Sequence, residues 1–377
     1  MIRVLFLIRS LNRGGAERQL TQLVKGMDRT RFAVTVVTLY DGGAHRTEIE
    51  SLEGITVFSL HKKGRWDILL PIWRLLRILR DAKPHIVHGY MDVANALALL
   101  LGKLAAARVV WGLRASDVDF SQYDRISALS FRLAGWLSPL TDLIIINSHA
   151  GKRHYGAQGF CDKRMIVIPN GFDTIYFQPD AEAGRRIRRA WGIEDSELLI
   201  GLVARLDPIK DHRTFLQAAA LLSASRPDTR FVCVGDGQVD YRQELQDFAE
   251  RLGIGNRVIW AGELTDMREV HNALDVATSS SSSEGFSNTI GEAMACGIPC
   301  VVTGTGDSAT LVGDTGVVVP LKDPAQMCAA WMRLLDMPAQ DRAALGRCAR
   351  ERIMSEYSIQ QLVCRSEAAL TGLIAAT

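Results

Sequence analysis

Short apolar segments alternate with amphipathic segments along most of the chain. Segments with helical periodicity, such as Arg18 to Met27, separate these runs. Continuous apolar runs are typical of strands buried on both faces of a parallel sheet, and alternation with helices predicts a doubly wound α/β architecture. The main apolar runs of strand length fall at 3–9, 32–40, 55–60, 84–89, 108–114, 198–205, 230–237, 258–262, 274–278 and 299–303.

This rhythm breaks once, in the polar segment Asp173 to Trp191, which contains Pro179 and a run of arginines. A chain of 377 residues also exceeds what one hydrophobic core usually supports. We therefore expect two Rossmann-like domains, residues 1–174 and residues 175–357. Helical segments finish the chain, the last of them at 358–377.

A net charge of +2 hides an asymmetry between the two halves. Residues 1–172 contain 24 Lys+Arg against 14 Asp+Glu, a net +10, and the remainder contains 20 against 28, a net −8. A basic first half favours an anionic neighbour. We expect a membrane surface or a lipid phosphate rather than nucleic acid, because no base-stacking or groove-reading motif accompanies the charge.

The most basic amphipathic segment runs from Pro71 to Lys83. Its apolar positions share one helical stripe, and Arg74, Arg77 and Arg80 share another. One interpretation is an outer helix of a Rossmann-like domain with a solvated basic face. The other is an interfacial helix that rests on anionic lipid, helped by nearby lysines and by Trp66 and Trp73.

The stretch with the most candidate chemistry runs from Ser279 to Cys300. A buried strand, a polar loop and a helix that starts near Asn288 follow one another, and such a helix N-terminus binds anions. A carboxylate and a phosphate are both negatively charged and repel each other. We therefore expect Glu284 and Glu292 to reach past a diphosphate to hydroxyl groups. Glu284 would then contact a sugar and Glu292 a ribose. Capping and solvation of the helix is the alternative role for both.

Two cations follow the strand at 198–205. Arg205 ends that strand and Lys210 stands five residues later, at the start of a helix. Two fixed cations beside a helix N-terminus suit a diphosphate leaving group, because its departure develops negative charge. A solvated charged loop is the alternative. Near the start of the chain, Gly14 and Gly15 form a turn that lets a backbone approach a ligand closely.

The stretch around Glu284 and Glu292, together with the Gly-Gly-Ala-Glu-Arg segment at 14–18, resembles family 4 retaining glycosyltransferases. The resemblance implies the GT-B fold, two Rossmann-like domains facing across a cleft, with a C-terminal helix that crosses back to the first domain. It also implies that donor-binding positions lie in three regions of the chain. These are Gly14 and Gly15, then Gly235 and Leu264 near the nucleotide base, and the loop residues Phe286, Ser287, Asn288, Thr289 and Glu292.

One position departs from the family pattern. Relatives often have a histidine in the loop after the fifth strand, where this chain has Arg114 with Asp117 near it. An arginine could stabilise the leaving diphosphate but would not act as a neutral hydrogen-bond acceptor. The catalytic candidates are therefore Glu284, Arg205 and Lys210, which match the family pattern, together with Arg114, which stands where relatives have the histidine. His85 and His88 are interpreted as satisfied residues at a strand end.

The implied reaction moves a sugar from a UDP- or GDP-sugar to an acceptor with retained configuration, without metal or other cofactor. The acceptor is expected to be a glycan or a polyprenyl-diphosphate-linked precursor of a surface polysaccharide. Seven scattered cysteines and no leader-like start predict a cytoplasmic protein, peripheral on the inner face of the plasma membrane. A GT-B sugar epimerase, a sugar-phosphate synthase and a non-catalytic nucleotide-sugar-binding protein are the alternatives.

A dinucleotide fingerprint is excluded. The segment 304–309 formally fits G-x-G-x-x-A, but a second glycine-containing turn at 313–316 replaces the long helix and the acidic residue that such a site needs.

Overall fold

The computed structural model describes residues 1–12, 14–64, 66–114 and 125–375. The chain divides into two compact units, one made of Met1–Gly171 with Ile359–Thr377 and one made of Phe172–Ser358. The predicted boundaries at 174/175 and 357/358 lie three residues and one residue from these divisions. None of the helices in the described part of the chain is both long and apolar enough to cross a bilayer.

The first unit is a seven-stranded parallel sheet in the order β3-β2-β1-β4-β5-β6-β7. Its elements are β1 Ile2–Ile8, α1 Gly15–Gly26, β2 Phe32–Thr38, α2 Arg46–Glu50, β3 Ile55–Ser59, α3 Leu69–Ala82, β4 Ile86–Tyr90, α4 Asp92–Leu104, β5 Arg108–Leu113, α5 Arg125–Leu137, β6 Leu143–Ile146, α6 His149–Ala157 and β7 Met165–Val167. The apolar runs of the first half thus form the parallel sheet that their pattern predicts.

Two layers of helices cover this sheet. On one face, α3, α4, α5 and α6 pack over a cluster that includes Leu75, Leu99 and Tyr155. On the other face, α1 packs with the last helix of the chain, Ile359–Ala375, which becomes α15. Glu367 of this helix accepts a hydrogen bond of 2.7 Å from the backbone N–H of Asp28 and pairs with Arg31 at 3.1 Å. The terminal helix is therefore part of the first unit.

The second unit is a six-stranded parallel sheet in the order β10-β9-β8-β11-β12-β13. Its elements are α7 Ala181–Ala190, β8 Leu198–Val203, α8 His212–Ser223, β9 Thr229–Val234, α9 Val239–Arg251, β10 Val258–Gly262, α10 Met267–Ala273, β11 Val276–Ser279, α11 Asn288–Ala295, β12 Cys300–Thr303, α12 Ser308–Val312, β13 Gly316–Val319, α13 Pro324–Leu335 and α14 Ala339–Glu356. Two clusters of buried side chains form its core, and one of them contains Trp331, whose indole N–H donates to Thr278 at 2.9 Å.

The polar segment at which the strand–helix rhythm breaks begins the second unit. It forms α7, which is capped by the Asp180 side chain and packs on α10. One sequence-based expectation is wrong in detail, because the three arginines of α3 do not share one solvated stripe. Arg74 is half-buried and donates to the carbonyl of Leu60 at 2.6 Å, whereas Arg77 and Arg80 are exposed.

Two helical glycines provide a test of this packing. A Cβ on Gly346 of α14 would lie 1.9 Å from the carbonyl oxygen of Gly297, while a Cβ on Gly372 of α15 would meet nothing within 4 Å. Gly346→Ala should lower the melting temperature because backbone must move. Gly372→Ala should raise stability by about 0.5–1 kcal/mol through helix propensity alone. Differential scanning calorimetry measures both, and equal effects of the two substitutions would contradict the packing described.

Candidate functional site

Each sheet has one point where its strand order reverses. In the first sheet β1 lies between β2 and β4, and in the second sheet β8 lies between β9 and β11. In open α/β sheets the ligand binds beyond the carboxyl ends of the strands at such a point. The loops that follow β8 and β11 carry Lys210 and Glu284, so the strand order itself brings two of the predicted site residues together.

Hydrogen bonds join the two loops of the second unit. The hydroxyl of Ser280 donates to the carbonyl of Lys210 at 2.8 Å, and the backbone N–H of Ser282 donates to the carbonyl of Ile209 at 2.8 Å. The serine run therefore holds the loop after β11 against the loop after β8. This contact fixes the backbone on which the charged side chains stand.

Lys210 and Glu284 form an ion pair at this junction. The Lys210 Nζ lies 2.5 Å from Glu284 Oε2, and the hydroxyl of Ser281 donates to the same oxygen at 3.3 Å. Both side chains are largely buried, with 21% and 16% of their surfaces exposed. The pair is chemically able to separate around a ligand, with the ammonium on a phosphate and the carboxylate on hydroxyl groups.

Arg205, the other predicted cation, stands apart from this pair. Its side chain is 79% exposed, and its guanidinium lies 3.6 Å from Asp207. Asp207 in turn accepts a hydrogen bond from the backbone N–H of Ile209, at the start of the short turn that presents Lys210. The structure thus places Arg205 on the same loop as Lys210, with its side chain directed toward Asp207.

Helix α11 begins directly after this loop. Its N-cap residue Ser287 is buried and makes no side-chain capping hydrogen bond to the first turn, which starts at the half-buried Asn288 and Thr289. Phe286 contributes to the core, since its ring stacks on Phe172 with centroids 6.2 Å apart and contacts Tyr357. Phe286 therefore anchors the loop with its side chain, which leaves its backbone as the part that can meet a donor.

Glu292, within α11, is buried, with 3% of its surface exposed. Its Oε2 lies 3.4 Å from Nε2 of His271, a buried residue of α10. Sequence reasoning assigned a role to Glu292 but none to His271, because a lone histidine in an amphipathic segment carries no local signal. The structure adds a positioning partner for this carboxylate.

Gly235 and Leu264 follow the neighbouring strands β9 and β10. A Cβ on Gly235, whose φ is +133°, would lie 2.1 Å from the carbonyl oxygen of Ala204. The Gly235 N–H also donates to the carbonyl of Gly262 at 2.8 Å. Glycine is needed here because the loop after β9 runs directly against the loop after β8. Leu264 is half-buried against the core cluster that includes Phe286.

The segment excluded as a dinucleotide fingerprint supports the Glu284 loop. Gly306 has φ +58°, and a Cβ there would lie 1.9 Å from the carbonyl oxygen of Glu284. The backbone N–H of Asp307 donates to the carbonyl of Gly285 at 3.0 Å, and the hydroxyl of Thr303 donates to the carbonyl of Ser281 at 2.6 Å. Local spacing could not reveal this role, because it depends on the adjacency of β11 and β12.

The carboxyl edge of the first sheet carries the remaining predicted residues. Gly14 is the N-cap of α1 and Gly15 is its first residue, and both are exposed. The Arg114 guanidinium donates to Asn170 at 2.8 Å and to the hydroxyl of Tyr90 at 3.4 Å, and it lies 5.2 Å from the centre of the Tyr90 ring. Arg114 is thus held in a fixed position. Asp117 lies outside the described residues.

Two buried histidines lie close to these edges. Neither ring nitrogen of His88 or of His212 has a hydrogen-bond partner within the described part of the chain. Burial, with a contribution from the Arg114 charge, lowers the pKa of His88 to about 3. Burial, with a contribution from Lys210, lowers the pKa of His212 to about 4. Both rings are therefore neutral at neutral pH.

Carboxylates and histidines do not assemble into a metal centre in the regions described. Over residues 1–12, 14–64, 66–114 and 125–375, no three His, Cys, Asp or Glu side chains are grouped so that they could hold an ion.

Two doubly wound units, with this cation and carboxylate at the switch point of the second, are the architecture of the GT-B class, and the family matches and relatives identify a glycosyltransferase that uses a nucleotide sugar. The fold matches the crystal structure of Anabaena Alr3699/HepE in complex with UDP, with a TM-score of 0.85, 22% identity, and coverage of 98% of this chain and 100% of that one. The chain belongs to glycosyltransferase family 4. Residues 13–175 match the family described as Glycosyltransferase Family 4, and residues 197–337 match the one described as Glycosyl transferases group 1.

Curated relatives agree with this assignment. The putative glycosyltransferase EpsF of Bacillus subtilis (strain 168) is 29% identical over 320 residues, which cover 84% of this chain and 82% of that protein. A second relative, UDP-Gal:alpha-D-GlcNAc-diphosphoundecaprenol alpha-1,3-galactosyltransferase of Escherichia coli, is 24% identical over 296 residues, covering 77% and 76%.

Gly306 provides a test of loop support. Gly306→Ala should lower turnover of a nucleotide sugar by about 100-fold, because the displaced Glu284 carbonyl moves the carboxylate from its position. Gly253→Ala is the control: Gly253 has φ +73° and follows α9, and a Cβ there meets nothing within 4 Å. Both variants should lose stability through left-handed strain, and Gly306→Ala should lose more because of its backbone clash. Steady-state kinetics and thermal unfolding measure the two effects, and equal turnover in the two variants would refute the support role.

Proposed function

We propose that this enzyme transfers a hexose from a UDP- or GDP-sugar to a polyprenyl-diphosphate-linked glycan, with retained anomeric configuration and without a metal cofactor. The observation that carries the proposal is the ion pair between Lys210 and Glu284 at the switch point of the second sheet. One group of the pair suits a diphosphate and the other suits sugar hydroxyls. A nucleotide sugar contains both partners, joined by one bond.

In the proposed reaction the bond between the anomeric carbon and the β-phosphate oxygen breaks as the acceptor oxygen bonds to the same carbon. The acceptor proton passes to the departing phosphate oxygen. Lys210 and the first-turn N–H groups of α11 stabilise the negative charge that develops on the diphosphate. Arg205 can join them by turning from Asp207, because its side chain is largely exposed. The resemblance to family 4 retaining glycosyltransferases supports retention of configuration.

Glu284 and Glu292 are assigned to the two rings of the donor. Glu284 orients the hydroxyl groups of the sugar, and Glu292 accepts hydrogen bonds from the ribose, with His271 holding its carboxylate. Within the first unit, Arg114, Gly14 and Gly15 lie at the carboxyl edge of the sheet, and the family resemblance is what supports their assignment to the donor. Within the second unit, Gly235 and Leu264 complete the donor surface through their backbone groups.

The acceptor assignment is supported by the relative from Escherichia coli, whose name specifies a diphosphoundecaprenol-linked acceptor. A net charge of +10 on residues 1–172 is compatible with a diphosphate of this kind and with anionic lipid around it. The proposed location is accordingly the inner face of the plasma membrane, with the protein peripheral to it.

Transfer by wild type and by Glu284→Ala tests the proposal. UDP- and GDP-sugars are first ranked by how far they raise the melting temperature, since a ligand that binds only the folded state stabilises it. The best donor is then supplied with undecaprenyl-diphosphate-linked N-acetylglucosamine. Glu284→Ala should lower kcat by about 100-fold without weakening donor stabilisation, because the lost contact orients the sugar while the freed Lys210 still binds the diphosphate.

The control for this substitution is Glu194→Ala, which removes an exposed carboxylate of the same unit. Proton NMR of the product gives its anomeric configuration, expected to match the donor. Inversion, or full turnover by Glu284→Ala, would contradict the proposed mechanism.

A further inference from the structure

A basic groove lies at the amino-terminal edge of the first sheet, opposite the edge that carries Arg114. It has a volume of about 710 Å³ and lies between the ends of α3 and α4. Arg3 and Arg108 at the starts of strands β1 and β5 line it, together with Arg80 and Lys83 at the end of α3. No residue assigned to sugar transfer lines this groove.

The charges around the groove do not cancel. Arg80 pairs with Asp81 at 3.3 Å, and Asp142 is shared between Arg108 at 3.1 Å and Lys103 at 2.6 Å. Arg3 and Lys83 add two more positive charges. The groove and its surroundings therefore carry five cationic side chains and two carboxylates, a net charge of +3.

The C-terminal end of α3 also lies at this groove, but its negative helix dipole does not repel an anion there. Arg3 donates to the carbonyl of Lys83 at 2.6 Å, which compensates the negative end of the helix dipole. Burial, and then the charge of Arg3, lowers the pKa of His85, as expected in an electropositive groove.

The rim of the groove is apolar and continues onto a larger surface. Leu76 and Leu104 line the groove while remaining 40% and 71% exposed. Thirteen of the 24 exposed large hydrophobic side chains in the described regions fall between residues 66 and 140. Trp73 on α3, Leu100 on α4 and Trp136 on α5 are among them, and these helices cover the same face of the sheet. An exposed apolar concentration of this kind marks an interaction site.

We propose that the groove binds the phosphate headgroup of an anionic lipid while the outer face of α3, α4 and α5 rests on the bilayer. Charge complementarity selects this occupant, because a free phosphate would use the cations but leave the leucines and tryptophans in water. Exposed tryptophans beside lysine and arginine are the side chains that favour a bilayer interface. Arg77, 6.0 Å from the centre of the Trp73 ring, places charge beside that apolar surface.

Lipid binding at the groove rests on the proposed function in one respect, since a lipid-linked acceptor requires the enzyme to work at a membrane. The binding test itself does not depend on sugar transfer. The full-length protein is sedimented with vesicles of phosphatidylcholine alone and with vesicles that also contain phosphatidylglycerol. Wild type should bind the anionic vesicles, and binding should weaken as salt is raised. Equal binding to the two kinds of vesicle, or binding to neither, would overturn the inference.

Charge reversal at the groove gives the sharper comparison. Arg80→Glu/Lys83→Glu should weaken binding to the anionic vesicles about tenfold or more. Arg185→Glu/Arg189→Glu is the matched control, since it makes the same charge change on exposed residues of α7 and should bind more tightly than the groove variant. The milder pair Arg80→Gln/Lys83→Gln gives the same comparison with less strain on folding. Equal loss in the groove variants and the control would refute a specific groove.

Two further measurements distinguish an anionic lipid from soluble phosphate and from a second copy of this chain. Release of the protein from vesicles by millimolar inorganic phosphate at constant ionic strength would indicate a site for soluble phosphate. A lipid-free dimer that shields Trp73 from an aqueous quencher would indicate a second copy on this surface. Either result overturns the lipid assignment. Donor-induced thermal stabilisation should persist in the groove variants, so that failure of the lipid inference and failure of the sugar-transfer proposal are distinguishable.

Discussion

The ion pair between Lys210 and Glu284 is the interaction on which the account of the site depends. Two loops from non-consecutive strands must lie side by side for these groups to stand 2.5 Å apart. A partly buried ammonium or carboxylate without its partner would be costly, so each charge stabilises the other while no ligand is bound. A ligand that offers a phosphate to one and hydroxyl groups to the other can replace the pair without leaving a charge buried alone.

The backbone around the pair is constrained by close approaches that only glycine permits. Gly235 brings the loop after β9 against the loop after β8, and Gly306 brings the loop after β12 against Glu284. Serine and threonine hydroxyl groups then bond to the carbonyls of the neighbouring loop, as Ser280 and Thr303 do. Side chains that are held in this way need little reorganisation when charge develops on a leaving group.

The sequence was informative wherever a local pattern determines local structure. Apolar runs predicted the parallel strands, and the loop before α11 predicted where Glu284 would stand, because a strand-loop-helix unit has few geometries. Contacts between distant segments were not predictable. The inward turn of Arg74, the pairing of His271 with Glu292 and the support from Gly306 all depend on which strands and helices become neighbours. Helix α7 was not predicted for a related reason, since its apolar face is narrow and it is stabilised by packing on α10.

Calorimetric titration of UDP, or of GDP if GDP-sugars prove to be the donors, tests the central claim most directly. If Glu284 occupies the ammonium that a diphosphate must use, Glu284→Gln should bind the nucleotide more tightly than wild type, because the competing carboxylate is gone. Lys210→Met should bind it at least about tenfold more weakly, while Lys322→Met, at an exposed lysine of the same unit, should match wild type. Changes of the same sign in the Glu284 and Lys210 variants, or no change in either, would contradict the account.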